Sequence, residues 1–418
     1  MRKLILLFLI LAPLCAQASE VSAAGDSSVI STDTIGSNKL LVKVDNIGNS
    51  RLFRATYLGV PLIAGGLLEK HFDSKFRRLR NDFMPRFHRS LDNYTQFAPA
   101  AVMVGLKAAG VPSRSSWGRM LLSDAFSTAL MTGVVQGLKN TTHVMRPDGS
   151  NDHSFPSGHT ATAFMVATML SKEYGHISPW VSVGGYSVAT ATGLMRMANN
   201  KHWLSDVMVG AGVGILSTEF GYWIADAIMK DKGLNIRETL DNTRYGYSRP
   251  SFFGLYMGFN VPLSRYDVNE KNDFQTSMGT TLGLEGAYFL NRYIGLGGRV
   301  TISNLQFIVN GKEAPENTLN FYNFSLGPYF SLPVTPRWTV GTKLLGTYTQ
   351  YNATNIGGIH VPRNCGLGIG SGLDIGYLVK RHFGFSLFMD YNIQPPHSQQ
   401  SDEYVHTMTL GTKAAIRF

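Results

Sequence analysis

The chain is 418 residues long, carries a formal charge of +10 and holds two cysteines. That length accommodates two domains with real cores, and the excess of Lys and Arg favours anionic membrane surfaces and phosphorylated ligands. There is no Lys and Arg stripe interleaved with aromatics, no internal repeat and no long low-complexity tract, so nucleic acid is not an expected partner.

Residues 1–18 read as a secretory signal: Arg2 and Lys3 are basic, Leu4 to Leu14 is apolar, and Ala16-Gln17-Ala18 is a small-residue cleavage site before Ser19. The mature protein is therefore expected outside the cytoplasm. Cys15 invites a lipoprotein reading, but Leu14 before it is too large for such a site. Cleavage after Ala18 leaves Cys365 as the remaining cysteine and no intramolecular disulfide. Residues 19–50 are a weakly periodic lead-in, with a short strand expected at Leu40 to Val44.

From residue 51 to 230 the period is helical, with helices expected near Ala55 to Leu68, Tyr94 to Ala109, Trp117 to Leu138, Gly158 to Lys172, Pro179 to Arg196 and His202 to Met229. Glu69, Lys107, Asp124 and Glu219 cut the apolar runs below the roughly 20 residues that a membrane span needs. The longest uncharged stretch, Gly175 to Met195, is full of Ser, Thr and Gly. The expectation is a water-soluble bundle rather than integral helices.

Polar clusters interrupt these helices: Lys139 to Pro147, Phe155 to Thr160, and Arg196 to Asp206. They collect the fixed cations Lys139, Arg146 and Arg196 with the imidazoles of His159 and His202, an inventory suited to a phosphoryl group. His202 and Asp206 lie one helical turn apart, so the carboxylate can take Nδ1–H and leave Nε2 as a nucleophile. Pro156, Ser157 and Gly158 form a turn that opens a helix, where the N–H groups of Ser157 and Gly158 would bind an anion. His143, His153 and His176 stand outside any register and read as structural, with His153 nearest the pocket mouth. The clusters lack the extra carboxylates of a magnesium or zinc centre, so no cofactor and no catalytic metal are expected.

Lys139 with Arg146-Pro147, then Pro156-Ser157-Gly158-His159, then Arg196 with His202 and Asp206, resemble the three-part signature of the type 2 phosphatidic acid phosphatase (PAP2) superfamily. That superfamily includes lipid phosphate phosphatases, bacterial non-specific acid phosphatases and vanadium haloperoxidases on a helical bundle. The resemblance implies His202 as the nucleophile that forms a phosphohistidine, His159 as general acid and Asp206 as orienting carboxylate. It implies Lys139, Arg146, Ser157, Gly158 and Arg196 as the phosphate cradle. Met195 departs from the family's usual Ser, so one hydrogen bond to phosphate is expected to be missing or replaced.

Residues 231–250 are polar and charged, a linker or docking segment. After Pro250 the period changes to two and eight strands follow. Apolar outward sets run through Phe253, Leu255, Met257, Phe259 and Val261, through Leu282, Leu284 and Tyr288, and through Trp338, Val340, Leu344 and Tyr348. Further sets are Phe383, Phe385, Leu387, Met389 and Tyr391, and Met408, Leu410, Ala414, Ile416 and Phe418. The alternate positions hold Glu285, Arg299, Lys343, Asp374, Asp390, Lys413 and Arg417, near-balanced charges that fit the salt-bridged interior of a small barrel better than the wet face of a sandwich. Connections alternate between long (Ser264 to Asp273, Asn310 to Asn317, Asn352 to Asn364, Gln394 to Glu403) and short, as in outer-membrane barrels. Pro328 counts against a perfect ladder, because a closed barrel has no edge to hide it.

The expected fold is thus α + β in two domains: an all-α PAP2-like bundle at 51–230 and an eight-stranded antiparallel transmembrane β-barrel at 251–418, resembling small porin-like barrels of the outer membrane. The expected function is hydrolysis of phosphate monoesters, with a phospholipid or lipid A phosphate favoured, by a catalytic domain in the periplasm of a Gram-negative bacterium. Small soluble esters, isoprenyl pyrophosphate, haloperoxidase chemistry and a non-enzymatic anchor stay open as alternatives.

Overall fold

The computed structural model describes residues 51–236, 250–263, 266–269, 272–309, 312–334, 337–356, 359–380, 383–398 and 402–417. The expected signal, the lead-in with its strand, most of the linker and Phe418 lie outside the described residues. The chain divides into two compact units at Phe53/Arg54, the second of which holds the helical bundle and the strands.

The helices of this second unit are α1 (Gly59–Glu69), α2 (Asp73–Phe83), α3 (Asp92–Thr95), α4 (Ala98–Ala108), α5 (Trp117–Thr142), α6 (Gly158–Tyr174), α7 (Pro179–Ala198) and α8 (Leu204–Met229). Their starts follow ordinary capping chemistry: the side chains of Ser116, Ser157 and Ser178 accept from backbone N–H groups at the first turns of α5, α6 and α7. α8 is the central helix, packed by α1, α5 and α6. Its glycines let those backbones approach; a Cβ on Gly210 would stand 2.6 Å from the carbonyl oxygen of Ser157. The core between them is filled by Met120, Met131, Met165, Met169, Val209 and Val213.

Two sequence expectations change here. α2, D-S-K-F-R-R-L-R-N-D-F, lies outside the expected helices, because its apolar residues are only Phe76, Leu79 and Phe83 and form no apolar run; Phe76 and Leu79 are buried. Nor does charge cut every run. α8 is long and apolar enough to cross a membrane by length and composition, with most of its apolar window buried in the bundle. Its Glu219 is paired with Lys172 at 2.8 Å rather than facing outward. The outer faces of the bundle carry exposed apolar side chains, among them Leu67, Leu68, Val102, Leu121, Trp180 and Trp223.

The second half is a closed antiparallel barrel. In ring order it runs β5 (Ile294–Val309), β4 (Gly279–Phe289), β1 (Phe252–Pro262), β12 (Val405–Arg417), β11 (Phe383–Gln394), β10 (Asn364–Lys380), β7 (Trp338–Tyr351) and β6 (Lys312–Pro333). Pairing of β5 with β6 completes the circle. Side chains alternate as the period of two requires: in β1, Gly254, Tyr256, Gly258 and Asn260 are buried while Phe253 faces out. All seven expected inner charges point inward. Lys343 bridges Glu285 and Asp390, both at 2.9 Å, and Lys413 reaches Glu285 at 3.0 Å and Asp374 at 3.3 Å. Arg299 binds Asp390, whose carboxylate also accepts from Tyr256 at 2.9 Å. The interior is therefore packed by neutralising pairs, which is how charge can be held away from water.

Pro328 is accommodated by a gap. β6 pairs with β7 at Leu326↔Gly346 and resumes at Tyr329↔Lys343 in the same register, while Pro328 pairs with Leu296 on the other side. The long connections are not loops throughout. β5 and β6 run on past the ring as a hairpin, and β2 (Tyr266–Asn269), β3 (Asn272–Ser277), β8 (Thr354–Ile356) and β9 (Ile359–Val361) extend others, because polar residues satisfy their backbone groups by pairing across a hairpin.

α2 joins the halves. Phe72, just before α2, and Phe76 flank Phe259 at ring separations of 4.7 and 5.5 Å, Lys75 Nζ donates to the carbonyl of Met278 at 2.9 Å, and Phe83 meets Tyr322 at 5.1 Å. Asp82 accepts from Thr318 at 3.0 Å and Asn304 at 3.3 Å. These partners lie at the barrel end that carries the long hairpins, whereas the chain enters β1 at the end of the short turns.

Candidate active site

α8 supplies Asp206, and the turn before it supplies His202. His202 is 3% exposed, and its Nδ1 stands 3.4 Å from Asp206 Oδ2. Oδ2 also accepts from the backbone N–H of Trp203 at 2.9 Å and from Ser154 Oγ at 2.5 Å, which aims the carboxylate. Burial pushes the His202 pKa down to about 4, helped by Arg196 and Lys139 and opposed by Asp206. At neutral pH the ring therefore has a lone pair, the state a nucleophile needs.

His159, one residue into α6, has its Nε2 2.9 Å from Asn93 Oδ1; the amide oxygen can only accept, so Nε2 carries a proton. Burial, then the charge of Arg196, lowers its pKa to about 4 as well. A phosphate dianion bound among the cations would offset their share of the shift at His159.

The cations surround this pair. Arg196, 7% exposed near the end of α7, donates to Asp92 Oδ2 at 2.7 Å. Burial lowers the Lys139 pKa to about 8, with Arg146 next in effect, and burial followed by Arg196 lowers that of Arg146. Each cation thus feels the others, a repulsion that an anion between them would relieve. Lys139 Nζ donates to the carbonyl of His153 at 2.6 Å.

Ser157 and Gly158 lie beside this cluster, but one expected role fails. The N–H of Ser157 donates to the carbonyl of Asp206 at 3.0 Å, and its hydroxyl accepts from Thr160 Oγ1 at 2.9 Å. Ser157 therefore ties the turn to α8, since a donor inside a packed turn is taken by the nearest carbonyl. Gly158 opens α6. Met195 offers no hydrogen-bonding side chain and serves α7 through its carbonyl, which accepts from Asn199 N.

With that geometry, residues 120–230 match the profile of the PAP2 superfamily. A lipid A 1-phosphatase of Porphyromonas gingivalis is 42% identical over 234 residues, which is 56% of this chain and 50% of that protein. The chain thus spans about half the length of that curated relative. Among solved structures, Aquifex aeolicus LpxE covers 34% of this chain and 92% of its own at 23% identity with a TM-score of 0.28. Neisserial surface protein A covers 41% and 98% at 10% identity with a TM-score of 0.30.

The site also uses residues that the motifs do not name. Asp92 holds Arg196, Asn93 holds His159 and Ser154 holds Asp206. Asp73, at the start of α2, caps α8: its carboxylate accepts from Ser205 N at 2.9 Å and Ser205 Oγ at 2.5 Å. Asp92 and Asn93 stand 104 and 66 residues from their partners, and Asp73 132 from its own. Nothing local in the sequence connects them. Ser154 sits two residues before Pro156, at the edge of the second cluster, where its hydroxyl is a local signal in the sequence.

Proposed function

We infer that this protein hydrolyses phosphate monoesters through His202. The observation that carries the reading is a buried His202 backed by Asp206, with Lys139, Arg146, Arg196 and His159 close enough to act on one another's charge. In the forward step Nε2 of His202 attacks phosphorus as the ester P–O bond breaks and His159 protonates the leaving oxygen. In the second, water attacks the phosphohistidine, the P–N bond breaks and the water proton returns to His159. Lys139, Arg146 and Arg196 neutralise charge on the equatorial oxygens.

The favoured substrate is the phosphate of an amphiphile, of the lipid A or phospholipid class. The exposed apolar faces of the bundle and the apolar outer wall of the barrel support it, as does the likeness to the P. gingivalis lipid A 1-phosphatase. The barrel is read as an outer-membrane anchor: a closed ring leaves no unpaired edge in hydrocarbon, and its outward side chains are apolar while its charges pair inside. The periplasmic placement of the PAP2 domain is supported by chain entry at the short-turn end. A second reading, a bundle lying alongside the barrel within or against the lipid, is favoured by the α2 contacts at the opposite end.

The test is phosphate release by purified full-length protein from lipid A, phosphatidic acid, isoprenyl pyrophosphate and an aryl phosphate. A preference for either lipid monoester supports the reading. Turnover of the aryl phosphate alone points to a small-ester phosphatase, and peroxide- and vanadate-dependent halide oxidation without phosphate release overturns it.

A further inference from the structure

Beside the phosphate cradle, on the solvent side of Lys139, stands a cluster that the reaction does not use. His143 ends α5 in the left-handed conformation, with φ 45°, which few side chains other than Gly, Asn, Asp and His adopt. Its Nδ1 lies 3.0 Å from Asp152 Oδ2, and His153 Nε2 lies 3.8 Å from Asp152 Oδ1. One ligand atom from each of the three residues falls within 4.8 Å of the others. Ligands bound to zinc at about 2.0–2.1 Å in a tetrahedron stand roughly 3.3 Å apart, so the triplet is near the required spacing and needs only side-chain rotation to close. All three side chains are about half exposed, which leaves a path for a cation.

The second shell is also in place. His153 Nδ1 is 3.4 Å from the carbonyl of Lys139, and a carbonyl can only accept, so the proton belongs on Nδ1 and the Nε2 lone pair faces the cluster. A backbone carbonyl that takes the far N–H of a histidine is the usual way a metal-ligating ring is oriented. At His143 the metal would replace the proton shared with Asp152, and the ring's Nε2 would take that proton up. Two imidazoles and one carboxylate suit zinc and other borderline divalent ions, and are a poor set for magnesium or calcium, which demand oxygen.

We propose that His143, Asp152 and His153 bind a divalent transition metal, zinc being the representative ion, and that this site positions Lys139. The coupling runs through His153, which receives the Lys139 ammonium on its carbonyl and gives its ring N–H to the Lys139 carbonyl. A metal on His153 fixes both ends of that exchange and with it the ammonium of Lys139. This second clause rests on the reading of Lys139 as a phosphate ligand; metal binding itself does not.

The experiment uses full-length protein in detergent, stripped with a chelator and titrated with zinc chloride against a competing colorimetric chelator. One zinc per chain is expected, with affinity falling at least about tenfold in each of His143→Ala, Asp152→Asn and His153→Ala. X-ray absorption at the zinc edge should show imidazole ligands. Affinity within about twofold of the parent in His153→Ala and Asp152→Asn, or a zinc shell without imidazole, overturns the site. In phosphatase assays zinc should lower KM for the parent with kcat unchanged and leave the KM of His153→Ala unmoved. Zinc bound with no change in KM overturns the coupling to Lys139. Loss of all turnover in the parent bears on the phosphatase reading and leaves the binding arms to decide the site.

Discussion

Ser154→Ala isolates the part of the site that the motifs omit. Ser154 is fully buried, its Oγ donates to Asp206 Oδ2 at 2.5 Å, and its own N–H is bonded to Val144 O at 2.9 Å, so the variant removes one hydrogen bond without freeing the backbone. Asp206 keeps the Trp203 N–H on the same oxygen, but its Oδ1 has no partner to stop rotation. A hydrogen bond to a charged group contributes about 1.5–3 kcal/mol. If that energy holds the carboxylate toward His202 Nδ1 as positive charge develops on the ring, kcat falls about 10- to 150-fold at that conversion. Ser154→Thr, which keeps the hydroxyl, should recover most of it. The assay is steady-state release of phosphate from an aryl phosphate and a lipid phosphate, with unfolding followed in parallel. A folded Ser154→Ala protein within about threefold of the parent kcat refutes the orienting role of this bond.

Other outcomes test the remaining assignments. His202→Ala should abolish turnover on every substrate, while His159→Ala should retain more activity on aryl phosphates, whose leaving groups need less protonation; equal losses across leaving groups refute the division of roles. Vanadate should inhibit in competition with substrate, and a chelator should leave kcat intact; activity that vanishes in EDTA and returns with magnesium would place a metal at the reaction centre. His202 falls from 6.5 to about 4 on folding, so the unfolded chain binds the extra proton and stability is lost as pH drops from 6.5 to about 4. That shift amounts to roughly 3 kcal/mol, and urea unfolding of His202→Gln should show a correspondingly flatter pH profile, parallel profiles being the contrary result. In a Cys365→Ser background, a membrane-impermeant maleimide on intact cells should label His360→Cys in the β8–β9 hairpin but not Ser74→Cys on α2. Labelling at both sites contradicts periplasmic placement and favours a bundle beside the barrel.

Much of this was legible in the sequence because it is local or periodic. His202 and Asp206 meet because they are one turn apart, and the inward placement of Glu285, Arg299, Lys343 and Asp390 follows from a side-chain period of two once the apolar face is known. Helix starts at Ser116, Ser157 and Ser178 follow from capping by the side chain in front of each helix. Tertiary structure alone decided what depends on long-range approach. Asp92 reaching Arg196, Asn93 reaching His159 and Asp73 capping α8 cross 66 to 132 residues, and no spacing rule joins them. The N–H of Ser157 went to Asp206 rather than to the cradle because Gly210 lets α8 press against that turn. α2 has no apolar run to mark it, since this helix is fixed by two buried apolar residues, Phe76 and Leu79, and neighbours on both sides. The same packing lowered the pKa values of His159 and His202, because burial, a property of the folded surroundings, disfavours the charged imidazole.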